Sequence, residues 1–134
     1  MSELTEIDHV AIAVHDLEAA IAYYRDTFGA EVTHREVVER DGVEEALLRV
    51  ADSYIQLLMP VRDDSPVAKS LASRGEGLHH VGYRVADCAA ALARVKAEGH
   101  RVIDEEPRPG SRGTTVAFLH PTSAFGTLIE LVQE

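Results

Sequence analysis

Cysteine is nearly absent: Cys88 is the only one in 134 residues. No internal disulfide can form, so burial and hydrogen bonding must hold the fold, and the composition suits a reducing compartment. Basic residues are also scarce. The 13 Lys and Arg are outnumbered by 23 Asp and Glu, giving a formal net charge of -10. Nothing supplies the basic stripe that tracks a phosphate backbone, which argues against a nucleic-acid partner. No apolar run approaches the ~18 residues of a membrane span, so no membrane partner is expected. The first residues, Met1 to Asp8, are acidic and have neither an apolar stretch nor the Arg-rich character of a transit peptide. A cytoplasmic protein without a leader is therefore expected. What remains is ordinary for a globular chain, 46% hydrophobic and 27% charged, at a length that suits one domain with a useful core.

Against this plain background the chain repeats itself. His9-Val-Ala-Ile-Ala-Val-His-Asp16 and the eight residues after it match His80-Val-Gly-Tyr-Arg-Val-Ala-Asp87 and its continuation. The identical positions are His9/His80, Val10/Val81, Val14/Val85, Asp16/Asp87, Ala19/Ala90, Ala20/Ala91 and Ala22/Ala93. Alanine matches carry little weight, but the histidine, valine and aspartate matches do. Each half also closes on a similar apolar segment, Tyr54-Ile-Gln-Leu-Leu58 and Leu128-Ile-Glu-Leu-Val132. One module is used twice.

Each module opens on a strand, with Val10, Ile12 and Val14 alternating with His9, Ala11 and Ala13. Asp16 and Asp87 sit where a helix N-cap belongs, and the following residues are apolar at helical spacing. Gly29 and Gly99 fall where each helix would end. The pattern then predicts strands over 31–38, 44–50 and 54–59, with turns at Asp41-Gly42 and Asp52-Ser53. The second half gives a strand over 101–104, a Pro/Gly/Arg loop over 107–113, a strand over 114–119 and the terminal strand. The expected fold is α+β, two tandem βαβββ modules forming a half-open, metal-binding barrel. The whole of 1–134 reads as a single domain. Module 1 covers about 5–60, a polar linker 61–76 (with a short helix over 65–73) and module 2 about 77–134.

Strand parity selects the polar residues that matter. Successive side chains of a strand point to opposite faces. If Val10, Ile12 and Val14 pack on their helix, His9 faces the other way, and His80 does the same in module 2. Gln56 is set apart from Ile55 and Leu57, and Glu130 from Ile129 and Leu131. Taken singly, each could be a hydrogen-bonded structural residue or an edge-strand charge. Their recurrence at matching places in both modules favours a common task. A buried carboxylate is costly without a partner, and two imidazoles, an amide oxygen and a carboxylate suit a divalent metal.

The segments Asp8-His-Val-Ala-Ile-Ala-Val14, Gly77-Leu-His-His-Val81, Ala117-Phe-Leu-His-Pro121 and Gly126-Thr-Leu-Ile-Glu-Leu131 resemble the vicinal oxygen chelate (glyoxalase-like) superfamily. Within it the chain is most similar to the methylmalonyl-CoA epimerase family, and the likeness spans almost its whole length. The resemblance implies a cytoplasmic isomerase that interconverts the C2 epimers of an acyl-CoA, methylmalonyl-CoA. It implies a homodimer. It also implies a divalent metal held by His9, Gln56, His80 and Glu130, with the substrate's thioester and carboxylate oxygens completing an octahedron. Co2+ is the ion expected first, with Mn2+, Zn2+, Ni2+ or Mg2+ as alternatives. The family assigns proton transfer at C2 to Glu130, which doubles as a ligand, and to a third-strand glutamate that maps to Glu45.

Parity gives a check on Glu45. With Asp52-Ser53 as a two-residue turn, Arg49 lies opposite Gln56 and Glu45 shares the face of Gln56. That register also sets Glu45 four positions along from Gln56, about 13 Å away at the usual rise of ~3.3 Å per residue. The plainer reading is a solvated glutamate beside the Asp41-Gly42 turn. His79 has the wrong parity for the metal, His15 and His34 read as surface, and His120 lies in a loop beside the expected cleft. Arg108, Arg112 and Lys69 are candidates for CoA phosphates or simply solvated. Cys88 reads as core. Two other functions remain open: a glyoxalase I-like lactoylglutathione lyase, and a non-catalytic small-molecule binding or resistance protein of the same fold.

Overall fold

The alternation at the start of the chain does produce a strand. In the computed structural model, which describes residues 2–134, β1 spans Leu4–Ala13. Asp16 caps helix α1 (Leu17–Phe28), its carboxylate accepting from the Ala19 amide and satisfying one of the unpaired donors of the first turn. Gly29 ends α1 at φ 69°, a left-handed conformation that costs glycine nothing. Strands β2 (Val32–Val38), β3 (Val43–Val50) and β4 (Ser53–Pro60) follow as an antiparallel meander. Helix α2 (Pro66–Arg74) forms in the linker, with Ser65 as N-cap and Pro66 at the first position, where its missing N–H loses no bond.

The second module repeats the plan. β5 (Gly77–Val85) leads into α3 (Cys88–Ala97), capped by Asp87 accepting from the Ala90 amide, and Gly99 follows at φ 84°. A short β6 (Arg108–Pro109), β7 (Thr115–Leu119) and β8 (Ile129–Gln133) complete it. The architecture is the expected α+β.

Two compact units arise: Val10–His79, and the residues up to His9 together with His80–Glu134. In the first, the strand order is β2-β3-β4-β1. Ile12 and Val14 pack with Leu17 and Ile21 of α1 and with Ala46, Leu48 and Leu57. The opposite face carries Ala11, Ala13, Val43 and Leu58 under Val67 and Leu71 of α2. The linker helix thus has a packing role, closing the face that α1 leaves open. In the second unit the order is β1-β5-β8-β7-β6. Its core is Val85, Cys88, Ala91, Leu92, Ala117 and Leu131. β5 and β8 run parallel, and β7 and β8 antiparallel.

Two sequence expectations are corrected. The β3–β4 hairpin turns on Ala51-Asp52, not Asp52-Ser53: Val50 pairs with Ser53, Leu47 with Gln56 and Glu45 with Leu58. Ala51 takes the left-handed conformation at φ 51°, uncommon for alanine, and Arg49 Nε donates to its carbonyl at 2.8 Å. The strand expected over 101–104 is reduced to one bridge, Val102 to Leu119. There the amides of Ile103 and Asp104 both converge on the Phe118 carbonyl, so no regular ladder can continue.

Leu57 is fully buried among Leu17, Ile21, Ala46 and Leu48. Leu57→Ala removes that side chain where the surrounding strands cannot collapse, and is expected to cost about 2–5 kcal/mol. Urea unfolding checks this; a loss below about 1 kcal/mol would mean the cluster is less tightly packed than described.

Candidate metal centre

The site is built on neighbouring strands of one unit. Parallel pairing of β5 with β8 puts Glu130 opposite Gly82, two residues beyond His80, and antiparallel pairing of β7 with β8 puts Phe118 opposite Glu130. His9 at the middle of β1 lays its ring over Gly82. A Cβ there would stand 2.3 Å from His9 Cε1, so position 82 must lack a side chain. His9, His80 and Glu130 are all buried.

Their donor atoms converge. His9 Nε2 lies 2.9 Å from His80 Nε2 and 2.9 Å from Glu130 Oε1, and His80 Nε2 lies 3.1 Å from the same Oε1. The far side of His9 is fixed by Asp8, whose Oδ2 is 2.7 Å from Nδ1. Asp8 is fully buried, yet Arg84 Nη2 at 2.6 Å and Arg112 Nη2 at 3.0 Å stand against its Oδ1. Burial alone would raise its carboxyl, but His9, Arg84 and Arg112 together hold it below the usual range. As an ionised carboxylate, Asp8 can only accept, so Nδ1 carries the proton and Nε2 faces the centre.

Burial pushes the His9 imidazole down, but the Asp8 and Glu130 carboxylates more than offset this and lift it to about 9. Burial likewise opposes ionisation of Glu130, and the two imidazoles override it, driving its carboxyl well below the normal range. His80 meets the edge of Phe118, ring centroids 5.2 Å apart. Arg108 lies over the Phe118 ring at 5.4 Å and pairs with Asp104, whose Oδ2 accepts the Phe118 amide at 2.8 Å.

These three donors suit a divalent ion. At the ~2.1 Å bond length usual for such ions, adjacent corners of an octahedron lie ~3.0 Å apart and those of a tetrahedron ~3.4 Å. The observed edges of 2.9–3.1 Å match one octahedral face. A carboxylate hydrogen-bonded behind a histidine ligand is a regular feature of metal sites. His9, His80 and Glu130 form a group that could hold a metal ion.

The other expected residues fall as follows. Gln56 is buried in β4, and no hydrogen-bond partner is found for its Oε1 among the described residues. Its Nε2 donates to Glu45 Oε1 at 3.0 Å. Glu45 is only 1% exposed, not a solvated turn residue. The shifted hairpin register sets it diagonally across from Gln56 on the same face, so the long reach expected from the sequence disappears. Cys88 is buried core, its thiol pushed up to about 11 by burial and by the charges of Glu130, Asp87 and Asp104.

Arg108 and Arg112 are anchored in the ion pairs above, and Lys69 is exposed on α2. His120 caps the turn that follows it, Nδ1 accepting from the Thr122 amide. His15 is exposed, and His34 is half-buried against Glu36. His79 is half-buried. Asp8, Arg84 and Phe118 were not anticipated. A hint lay in the acid directly before His9 and the arginine four residues after His80.

The family model for the glyoxalase/bleomycin resistance protein/dioxygenase superfamily matches residues 8–118. The "ethylmalonyl-CoA/methylmalonyl-CoA epimerase" of Cereibacter sphaeroides is 43% identical over 95% of this chain and 96% of its own length. Among solved structures, a methylmalonyl-CoA epimerase in complex with methylmalonyl-CoA and NH4+ superposes with a TM-score of 0.94. It is 49% identical and covers 98% of this chain and 95% of that one. A variant of Streptomyces coelicolor methylmalonyl-CoA epimerase in complex with 2-nitronate-propionyl-CoA gives a TM-score of 0.95. There the identity is 48%, over 98% and 95% of the two chains. The chain therefore belongs to this superfamily and, within it, to the methylmalonyl-CoA epimerase family.

With His9 protonated at neutral pH, a metal must displace that proton from Nε2. Binding is expected to release about one proton per ion at pH 7 and to strengthen as pH rises towards 9. Calorimetry in buffers of different ionisation enthalpy measures the release; binding independent of pH between 6.5 and 9 would contradict it.

Proposed function

We infer that this protein is a metal-dependent epimerase interconverting (R)- and (S)-methylmalonyl-CoA by removal and return of the C2 proton. The observation that carries this reading is the donor triangle of His9, His80 and Glu130, in a chain 43–49% identical to epimerases over nearly its full length. A bound divalent ion supplies a Lewis acid for the thioester oxygen while negative charge develops at C2. His9, His80 and Glu130 would hold it, and we add Gln56, whose buried Oε1 is available as an acceptor, to the residues that would bind the ion. Co2+ is the ion we expect.

Epimerisation needs a proton acceptor on one face of C2 and a donor on the other. We assign Glu45 to one face. Its burial keeps bulk water from competing for the proton, and the Gln56 amide fixes the direction of one carboxylate oxygen. Glu130 is assigned to the other face as ligand and second base. Because its Oε1 is committed to two imidazoles, proton transfer falls to its other oxygen. The family resemblance supports a homodimer, and a lone unpaired cysteine, Cys88, suits the reducing cytoplasm.

The test is exchange of the C2 proton in deuterated water. The cobalt-loaded protein is expected to epimerise methylmalonyl-CoA with deuterium incorporation and to leave a hemithioacetal untouched; the opposite pattern makes it a lyase. Since the Cereibacter relative is named for two substrates, ethylmalonyl-CoA belongs in the same assay.

Glu45→Gln keeps size and the Gln56 contact but removes the acid–base group. It is expected to retain the metal and lose epimerisation by about 10²–10⁴. One epimer should still exchange its C2 proton and return unchanged. Wild-type epimerisation by this variant would place the second base elsewhere.

A further inference from the structure

His9 has a buried carboxylate behind its Nδ1, and that support is built from both modules. At the 71-residue offset that relates His9 to His80, Asp8 corresponds to His79, and Ala13 to Arg84. The carboxylate behind His9 and the arginine that grips it are therefore not products of the repeat. Asp8 is fully buried. Its Oδ2 receives His9 Nδ1–H at 2.7 Å, and its Oδ1 receives Arg84 Nε at 3.0 Å, Arg84 Nη2 at 2.6 Å and Arg112 Nη2 at 3.0 Å.

Both arginines are also paired outward, Arg84 with Glu6 and Glu134, and Arg112 with Glu134. Arg112 reaches Asp8 from a left-handed backbone conformation, φ 55°, one that a long side chain keeps only where its surroundings enforce it. On the opposite side the His9 ring lies against Gly82, where an added Cβ would stand 2.3 Å from its Cε1.

Apolar packing often stabilises a fold as well as a buried ion pair does. The geometry of this pair instead restricts His9. An acceptor at Nδ1 allows one neutral tautomer, with the Nε2 lone pair aimed at His80 and Glu130. We propose that Asp8, clamped by Arg84 and Arg112, is a positioning residue that fixes the His9 tautomer and ring direction and thereby sets metal affinity. This rests on the metal reading of the His9–His80–Glu130 centre.

The test uses Asp8→Asn in the full chain, with Co2+ affinity measured by competition against a chelator. The His9 tautomer is read from ¹⁵N imidazole shifts of the zinc-free and zinc-loaded protein. Asparagine preserves shape but offers either a neutral oxygen or an N–H to Nδ1. Cobalt binding is expected to weaken about 10–100-fold, with an Nε2–H tautomer becoming populated in the neutral, metal-free ring. Affinity equal to wild type overturns the proposal, as does weaker binding with the Nδ1–H tautomer unchanged.

A merely structural ion pair would lower the melting temperature of the metal-free protein and leave cobalt affinity alone. If Asp8→Asn does not fold, Arg112→Asn decides, because asparagine tolerates the left-handed backbone. Weaker cobalt binding is expected, and unchanged binding overturns the proposal. Failure of the wild type to bind cobalt would instead remove the metal centre itself.

Discussion

Two imidazole nitrogens and a carboxylate oxygen held within 3.1 Å of one another present electron pairs to a common point. Left to themselves such groups repel, and a protein interior screens that repulsion poorly. A positive charge at the centre is the condition for keeping them there. A proton on His9 meets that condition at neutral pH, and a divalent ion meets it more fully because it satisfies all three donors at once. The lift in the His9 pKa and the fall in that of Glu130 are two expressions of this one requirement. The rest of the unit resists the tendency of the three groups to turn apart, Phe118 against His80 and Asp8 behind His9, while Gly82 leaves space for the His9 ring.

Duplication explains how such a site arises without explaining its final form. One module supplies a histidine at the start of a strand and a polar residue in its last strand. Used twice, it supplies two of each, His9 with Gln56 and His80 with Glu130, and of these His9, His80 and Glu130 converge. The copies then diverge where their tasks differ. Gln56 is held by an amide-to-carboxylate bond with Glu45, and Glu130 by two imidazoles. His9 gains an anionic support in Asp8, and His80 an aromatic one in Phe118.

Which polar side chains share a face was readable because a strand has a strict period of two. Any break in the polarity of His9–Val14 or Ile129–Leu131 marks its residue at once. Helix caps at Asp16 and Asp87 were equally legible, since the capping bonds run between residues three apart. The hairpin register was not. Moving the turn back one residue to Ala51-Asp52 required alanine in a left-handed conformation, which propensity argues against, and Arg49 reaching the Ala51 carbonyl supplies what local sequence does not show. The Asp8–Arg84–Arg112 cluster joins residues 76 and 104 positions apart, and periodicity carries no information over such distances. The strand expected over 101–104 failed because Asp104 spends its carboxylate on the Phe118 amide and on Arg108, tying the segment to the site instead of to a ladder.

The two glutamates assigned to proton transfer stand in different electrostatic surroundings, and this bears on how the labour is divided. Glu130 faces two imidazoles, which hold it ionised far below neutral pH. When an ion replaces the His9 proton, positive charge remains beside it. A carboxylate so stabilised is a good ligand and, by the same fact, a reluctant base. Glu45 is buried, and the Gln56 amide donates to one of its carboxylate oxygens. A C2 proton flanked by a thioester and a carboxylate is weakly acidic, and its transfer is easiest to a base whose affinity approaches its own. The face served by Glu130 then depends on how much of its charge the ion draws off, so the identity of the metal would set the balance between the two directions of proton transfer.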